Sequence, residues 1–243
     1  MAPGAGDACV AGARSIGVVQ ELCNDDDAPR GSVLYMTAEM LRRYAAGVGG
    51  PEKLRELRVD GTRRKDRIRA LENLQLVPNL TRLELPGHLI ESLATLAPLA
   101  ALRELLVPRN RVHSLDGLEK LPRLALADLS GNLVARAGRA KLLRCRALHT
   151  LRLEDNQLGA VPDLAALAAL PSLSTLTLEG NPLAAAPHAR ALALFHLPLV
   201  DCLDEQAVAP GERKAAQQRF SAPEIESLRS ALAEAQAEAA RLA

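Results

Sequence analysis

Histidines and cysteines are the side chains through which this 243-residue sequence would do metal or nucleophilic chemistry. Structural metal sites typically show in a sequence as pairs of ligands at short spacing, such as C-x-x-C or H-x-x-x-H. Cys9, Cys23, Cys145 and Cys202 lie far apart with no C-x-x-C among them, and His113, His188 and His196 show no ligand spacing with cysteines or carboxylates. Neither a metal nor a cofactor is expected. The motifs H-E-x-x-H, G-x-x-x-x-G-K-[ST] and G-x-S-x-G are absent. Gly47 to Gly50 could pass for a phosphate loop, but no strand, lysine and hydroxyl follow in register, so the run reads as a hinge. No catalytic residues, enzymatic activity or small-molecule substrate are expected.

The polar side chain that does recur at a fixed place is asparagine, and its chemistry is hydrogen bonding. Asn110, Asn132, Asn156 and Asn181 each stand three residues after an aliphatic residue. From there an amide turned inward offers donors and acceptors to backbone groups that a tight bend takes away from water. The four are expected to form a structural ladder. His88 occupies the equivalent place one step earlier and is expected to act structurally.

The elements that position these rungs are written as a repeated pattern. Leu102, Leu105, Val107, Asn110 and Val112 form L-x-x-L-x-L-x-x-N-x-L, and Leu124, Ala127, Leu129, Asn132 and Val134 repeat it. The frame extends to Leu80, Leu83, Leu85, His88 and Ile90, to Leu148, Leu151, Leu153, Asn156 and Leu158, and to Leu173, Leu176, Leu178, Asn181 and Leu183. An imperfect first copy is Leu54, Leu57, Val59 and Thr62. Leu-x-Leu is a short strand with both aliphatic side chains on one face. After each rung the apolar residues step by three, as in Ile90, Leu93, Leu96 and Leu99, or Leu158, Val161, Leu164, Leu167 and Leu170, which suits 3₁₀ or loosely helical turns. Pro78, Pro98, Pro122 and Pro171 end several of these turns. A period of this length signals a stacked solenoid.

This pattern resembles the short leucine-rich-repeat class shared by phosphatase regulatory subunits, the A-prime protein of the spliceosome and axonemal dynein light chains. The C-terminal stretch Leu197, Pro198, Val200, Leu203, Asp204, Val208, Glu212 and Arg213 is similar to the cap of the same class, with Arg190 as its upstream arginine. Glu205 stands where the class has glycine, and Ala189 where it often has tyrosine. The resemblance implies an α/β horseshoe with a parallel concave β-sheet, convex 3₁₀ or helical turns, an N-terminal capping helix, a C-terminal cap and an extra helix. The expected divisions are an irregular extension (1–32), a capping helix (33–50), repeats (54–196), the cap (197–220) and a C-terminal helix (221–243). Thr37 is the N-cap of the first helix, and Ser221 with Glu224 forms a capping box for the last. Ile225, Leu228 and Leu232 then give that helix an apolar contact stripe.

Composition agrees with a long aliphatic core: 48% of residues are hydrophobic, only 2% are aromatic, and tryptophan is absent. A formal net charge of +1 argues against direct nucleic-acid binding, which leaves a strongly basic footprint. Nothing reads as a secretory signal or a membrane span. With no cysteine cluster at either end, the expectation is an intracellular, reduced protein.

Partners are expected on the concave face, where residues between the strand leucines align. The candidates are Arg58, Glu84, Pro86, Leu106, Pro108, Leu126, Asp128, Arg152 and Glu154, in which an apolar centre carries a charged rim. Arg63, Arg64, Lys65 and Arg67 form a candidate basic patch. The resemblance implies a non-catalytic scaffold, most specifically a component of the ciliary or flagellar axoneme that contacts dynein, radial-spoke or tubulin components. Its alternatives are a nuclear spliceosomal subunit holding an RNA-binding protein, and a phosphatase regulatory subunit.

Overall fold

A computed structural model describes residues 33–62, 67–138 and 142–220. The extension before residue 33, the basic residues Arg63, Arg64 and Lys65, and the C-terminal stripe of Ile225, Leu228 and Leu232 lie outside the described residues. In chain order come β1 (Val33–Tyr35), α1 (Ala38–Tyr44), β2 (Glu56–Arg58) and β3 (Arg67–Ala70). Strands β4 (Arg82–Glu84), β5 (Glu104–Leu106), β6 (Leu126–Asp128), β7 (Thr150–Arg152) and β8 (Thr175–Thr177) follow. The hairpin of β9 (Cys202–Leu203) and β10 (Gln206–Ala207) comes last. Helix α2 (Val161–Leu167) lies between β7 and β8, α3 (Ala189–His196) between β8 and β9, and α4 (Pro210–Phe220) after β10.

Strands β2, β4, β5, β6, β7, β8 and β9 form one parallel sheet in that order, and β10 adds antiparallel at its end. The period-two alternation of a strand sends the middle residue inward, so Leu57, Leu83, Leu105, Ala127, Leu151, Leu176 and Leu203 stack in register as one buried column. The apolar residues after each rung return over it. Leu93, Leu96 and Leu99 are fully buried around the 3₁₀ turn Ala94–Leu96, and Leu115, Leu118 and Leu121 around Leu118–Lys120. This is the expected α/β solenoid.

Asparagine makes the bends between strand and turn tenable. Asn132 Oδ1 accepts from Val112 N at 2.9 Å, while its Nδ2 donates to Val107 O at 3.0 Å and Leu129 O at 2.9 Å. Asn110, Asn156 and Asn181 repeat this with the neighbouring turns. His88 imitates an amide in one tautomer: Nδ1 accepts from Ile68 N at 3.1 Å, and Nε2–H donates to Val59 O at 2.9 Å.

Both ends of the core are covered. At the first, Thr37 Oγ1 accepts from Met40 N to cap α1, and Leu41, Tyr44 and Met36 join the aliphatic core. Asn73, in the left-handed region at φ 57°, ties this cover to the first repeat by donating to Met36 O. At the other end Arg190 donates to Glu212 Oε1 at 2.9 Å and to Leu203 O at 2.9 Å, while Arg213 donates to Pro198 O and Val200 O.

Two details depart from the sequence pattern. Val161 opens α2 instead of continuing the buried stripe and is 38% exposed; Asp163 is buried in that turn, accepting from Ala137 N and Ala160 N. Glu205, in the glycine position of the cap, takes φ 61° beside Asp204 at φ 51°. Two successive left-handed residues are what a two-residue hairpin between twisted strands requires.

Removing the amide in Asn132→Ala strands one buried N–H and several carbonyls, and Leu129→Ala opens a cavity, so each is expected to cost about 2–5 kcal/mol in urea unfolding. His88→Asn should fold with near wild-type stability in the same assay, and His88→Leu should not. The Arg190 side-chain bond, followed by the Ala209 N–H, holds the Glu212 carboxyl below its usual range. Its stabilisation is present above the unfolded-state value of about 4.3 and disappears as pH falls through the lower folded value. Glu212→Gln is therefore expected to lower the urea midpoint at pH 7, with the gap closing on acidification below about pH 4.

Candidate protein-binding face

The residues flanking the buried column point to the concave side. One outward column runs Arg58, Glu84, Leu106, Asp128, Arg152, Thr177 in strict register, and a second runs Glu56, Arg82, Glu104, Leu126, Thr150, Thr175. Leu106 and Leu126 are diagonal neighbours on β5 and β6. Pro86 and Pro108 extend the apolar area past the strand ends, and all four side chains are half-buried.

Charge on the early strands is used internally. Arg58 Nε lies 3.3 Å from Glu84 Oε1, Arg82 reaches Glu84 Oε2 at 3.4 Å, and Arg82 also bonds Glu104. The early flank is thus a chain of paired ions, not the simple arginine edge that one column suggests. Arg82 and Glu104 escaped the candidate set, although residues two apart on a strand share a face.

Charge on the later strands is less balanced. Asp128 is only 8% exposed, its Oδ1 accepts from Ser130 N and Oγ, and Arg152 lies 3.8 Å from Oδ2. Beyond them no ion pair among the described residues reaches Glu154 or Glu179. Glu154 Oε2 and Thr177 Oγ1 are both enclosed without a hydrogen-bond partner. Elsewhere, Arg67 is exposed at the start of β3, remote in register from the concave columns. His149 is exposed beside β7, its ring contacting Ala147 O.

The remaining reactive groups do not assemble a reaction centre. Burial, then the negative charge of Glu119, pushes the Cys145 thiol up to about 11. Cys202 is buried and disulfide-bonded, a correction to the expected fully reduced chain. Among the described residues no group of histidine, cysteine and carboxylate could hold a metal, and no helix is long and apolar enough to cross a membrane. A depression of about 570 Å³ beside Asn156, Asn181 and Pro182 opens broadly to solvent and gathers no catalytic pair. The arrangement suits adhesion of another macromolecule.

A leucine-rich repeat family model matches residues 106–233, just over half of the chain. A chain in the crystal structure of the Drosophila melanogaster SNF/U2A′ complex is similar at 23% identity and a TM-score of 0.52, over 82% of this chain and 99% of that one. An internalin, InlF, from Listeria monocytogenes gives 24% identity and 0.49 over 59% of this chain and 40% of its own. The LRIM1/APL1C complex contributes a chain at 18% and 0.46, over 54% and 24%. No curated protein matches the sequence.

A buried thiol held neutral reacts slowly with alkylating reagents, which attack through the thiolate. Cys145 is expected to resist iodoacetamide at pH 7.5 in the folded protein and to react on denaturation, as peptide mass mapping of the two samples would record.

Proposed function

The chain belongs to the leucine-rich-repeat family, and we propose that it is a non-catalytic protein-interaction scaffold whose partner docks on the concave sheet. The observation that carries this reading is the half-buried apolar group of Leu106, Leu126, Pro86 and Pro108 at the middle of that sheet, between the ion pairs of β2–β5 and the acids of β6–β8. An apolar centre excludes water and supplies binding energy, while the charged rim selects the partner.

Within this reading the assignment is an adaptor of the ciliary or flagellar axoneme. It is supported by the resemblance of the Thr37-capped helix and the Leu-Pro, Leu-Asp, Glu-Arg cap to ciliary leucine-rich-repeat proteins. The second reading is a nuclear spliceosomal subunit, favoured by the likeness of this chain to nearly the whole of one from the SNF/U2A′ complex.

Leu106→Glu should leave the urea midpoint close to wild type, since the side chain faces away from the core, and should abolish partner capture. Unfolding by this substitution would refute the outward register of the column. Fractionation of cells expressing the protein separates the two assignments: retention on salt-washed axonemes is expected for the first, and RNase-sensitive recovery with small nuclear RNA for the second.

A further inference from the structure

We propose that the later half of the concave face holds a subsite for a cationic side chain, a lysine or arginine on a helix of the docked protein. This rests on the concave-face reading above and adds the chemistry of the partner. Thr177 is 2% exposed and faces the concave side, because Leu176 before it fills the core; its hydroxyl has no partner. Glu154 follows β7 two residues beyond Arg152, the register partner of Thr177, and its Oε2 is enclosed and equally unpartnered. A buried hydroxyl or carboxylate oxygen left unpaired is costly, and a donor that supplies both bonds recovers that cost.

The geometry asks for a cation in particular. Arg152 is directed to Asp128 on the opposite side from Thr177, so it leaves Glu154 and Glu179 uncompensated among the described residues. An ammonium or guanidinium group donates several hydrogen bonds at once and brings the missing charge. A neutral donor could hydrogen-bond Thr177 and one carboxylate oxygen but would bring no charge to Glu154 and Glu179.

Spacing then defines the occupant. Strands lie about 4.8 Å apart, so Leu106 on β5 and Thr177 on β8 are separated by about 14 Å across the sheet. A helix laid across the strands rises about 1.5 Å per residue and returns to the same face at i+4, i+7 and i+11. Apolar residues at i and i+4 would rest on Leu106 and Leu126, and the residue at i+11 would reach Thr177 and Glu154. The occupant is therefore a helix with an apolar pair followed, two turns later, by a basic residue.

The test uses two fluorescein-labelled, lactam-stapled helical peptides with leucine at i and i+4 and either lysine or glutamate at i+11, titrated by anisotropy against the full chain. The lysine peptide should bind about tenfold more tightly, a preference that Glu154→Gln or Thr177→Val removes and that added salt weakens. Equal binding of both peptides, lost in Leu106→Glu, would overturn the cationic subsite and leave the concave face as an interface. A lysine preference that survives both Glu154→Gln and Thr177→Val would also overturn the subsite. Binding of neither peptide would overturn the subsite and the concave-face reading together.

Discussion

Each turn of this solenoid bends so sharply after its strand that several backbone groups are removed from water and placed beyond reach of the adjoining strand. Unless these groups are paired, stacking more leucine around them cannot make the fold stable, because each buried orphan costs about 1–3 kcal/mol. One amide per turn answers this. Its oxygen receives the N–H of the preceding turn and its nitrogen serves carbonyls of its own and the preceding turn, as Asn132 does with Val112, Leu129 and Val107. Aliphatic packing then follows almost automatically, since a fixed bend returns the leucine column to the same register each time.

His88 shows that the constraint concerns hydrogen-bond geometry and not residue identity. Its ring presents one acceptor and one donor on opposite sides, which spans Ile68 N and Val59 O as a carboxamide would. The same logic shapes the cap. Once the repeats stop, Asp204 Oδ1 accepts from Leu178 N and Glu179 N, and Arg190 donates to Leu203 O, so charged side chains close what a further turn would have closed.

The solenoid was legible in the chain because its determinants are local and periodic. Leucine at fixed offsets, an asparagine three residues on, and proline at the ends of turns each act over a few residues, and the register of the sheet follows from stacking. Departures arose where the deciding contact was distant in sequence. Val161 fits the step of three, yet Asp163 two residues later is drawn inward by Ala137 N, and the helix begins with Val161 outside. Asn73 reaches Met36 across 37 positions, a contact that no repeat pattern encodes. The concave columns could be written down from alternation, but the pairing of Arg58, Glu84, Arg82 and Glu104 depends on which neighbouring strand each side chain turns to.

That division between core and surface explains how one scaffold can be adapted to one partner. The inward column tolerates little beyond aliphatic residues, with Ala127 the smallest among leucines. The outward columns are free of that restriction, and here they hold paired ions on one side, leucine and proline in the centre, and unpaired oxygens on the other. The ions on β2–β5 are paired in charge, although Arg58 Nε beside Glu84 is enclosed without a hydrogen bond, so a partner gains little charge compensation by displacing them. Glu154 Oε2 and Thr177 Oγ1 are in the opposite state: enclosed on folding and left without hydrogen bonds, they have more to gain from a donor than oxygens that are already bonded. Selectivity along this face should therefore be concentrated at its later end, with the central leucines contributing adhesion that many apolar helices could share.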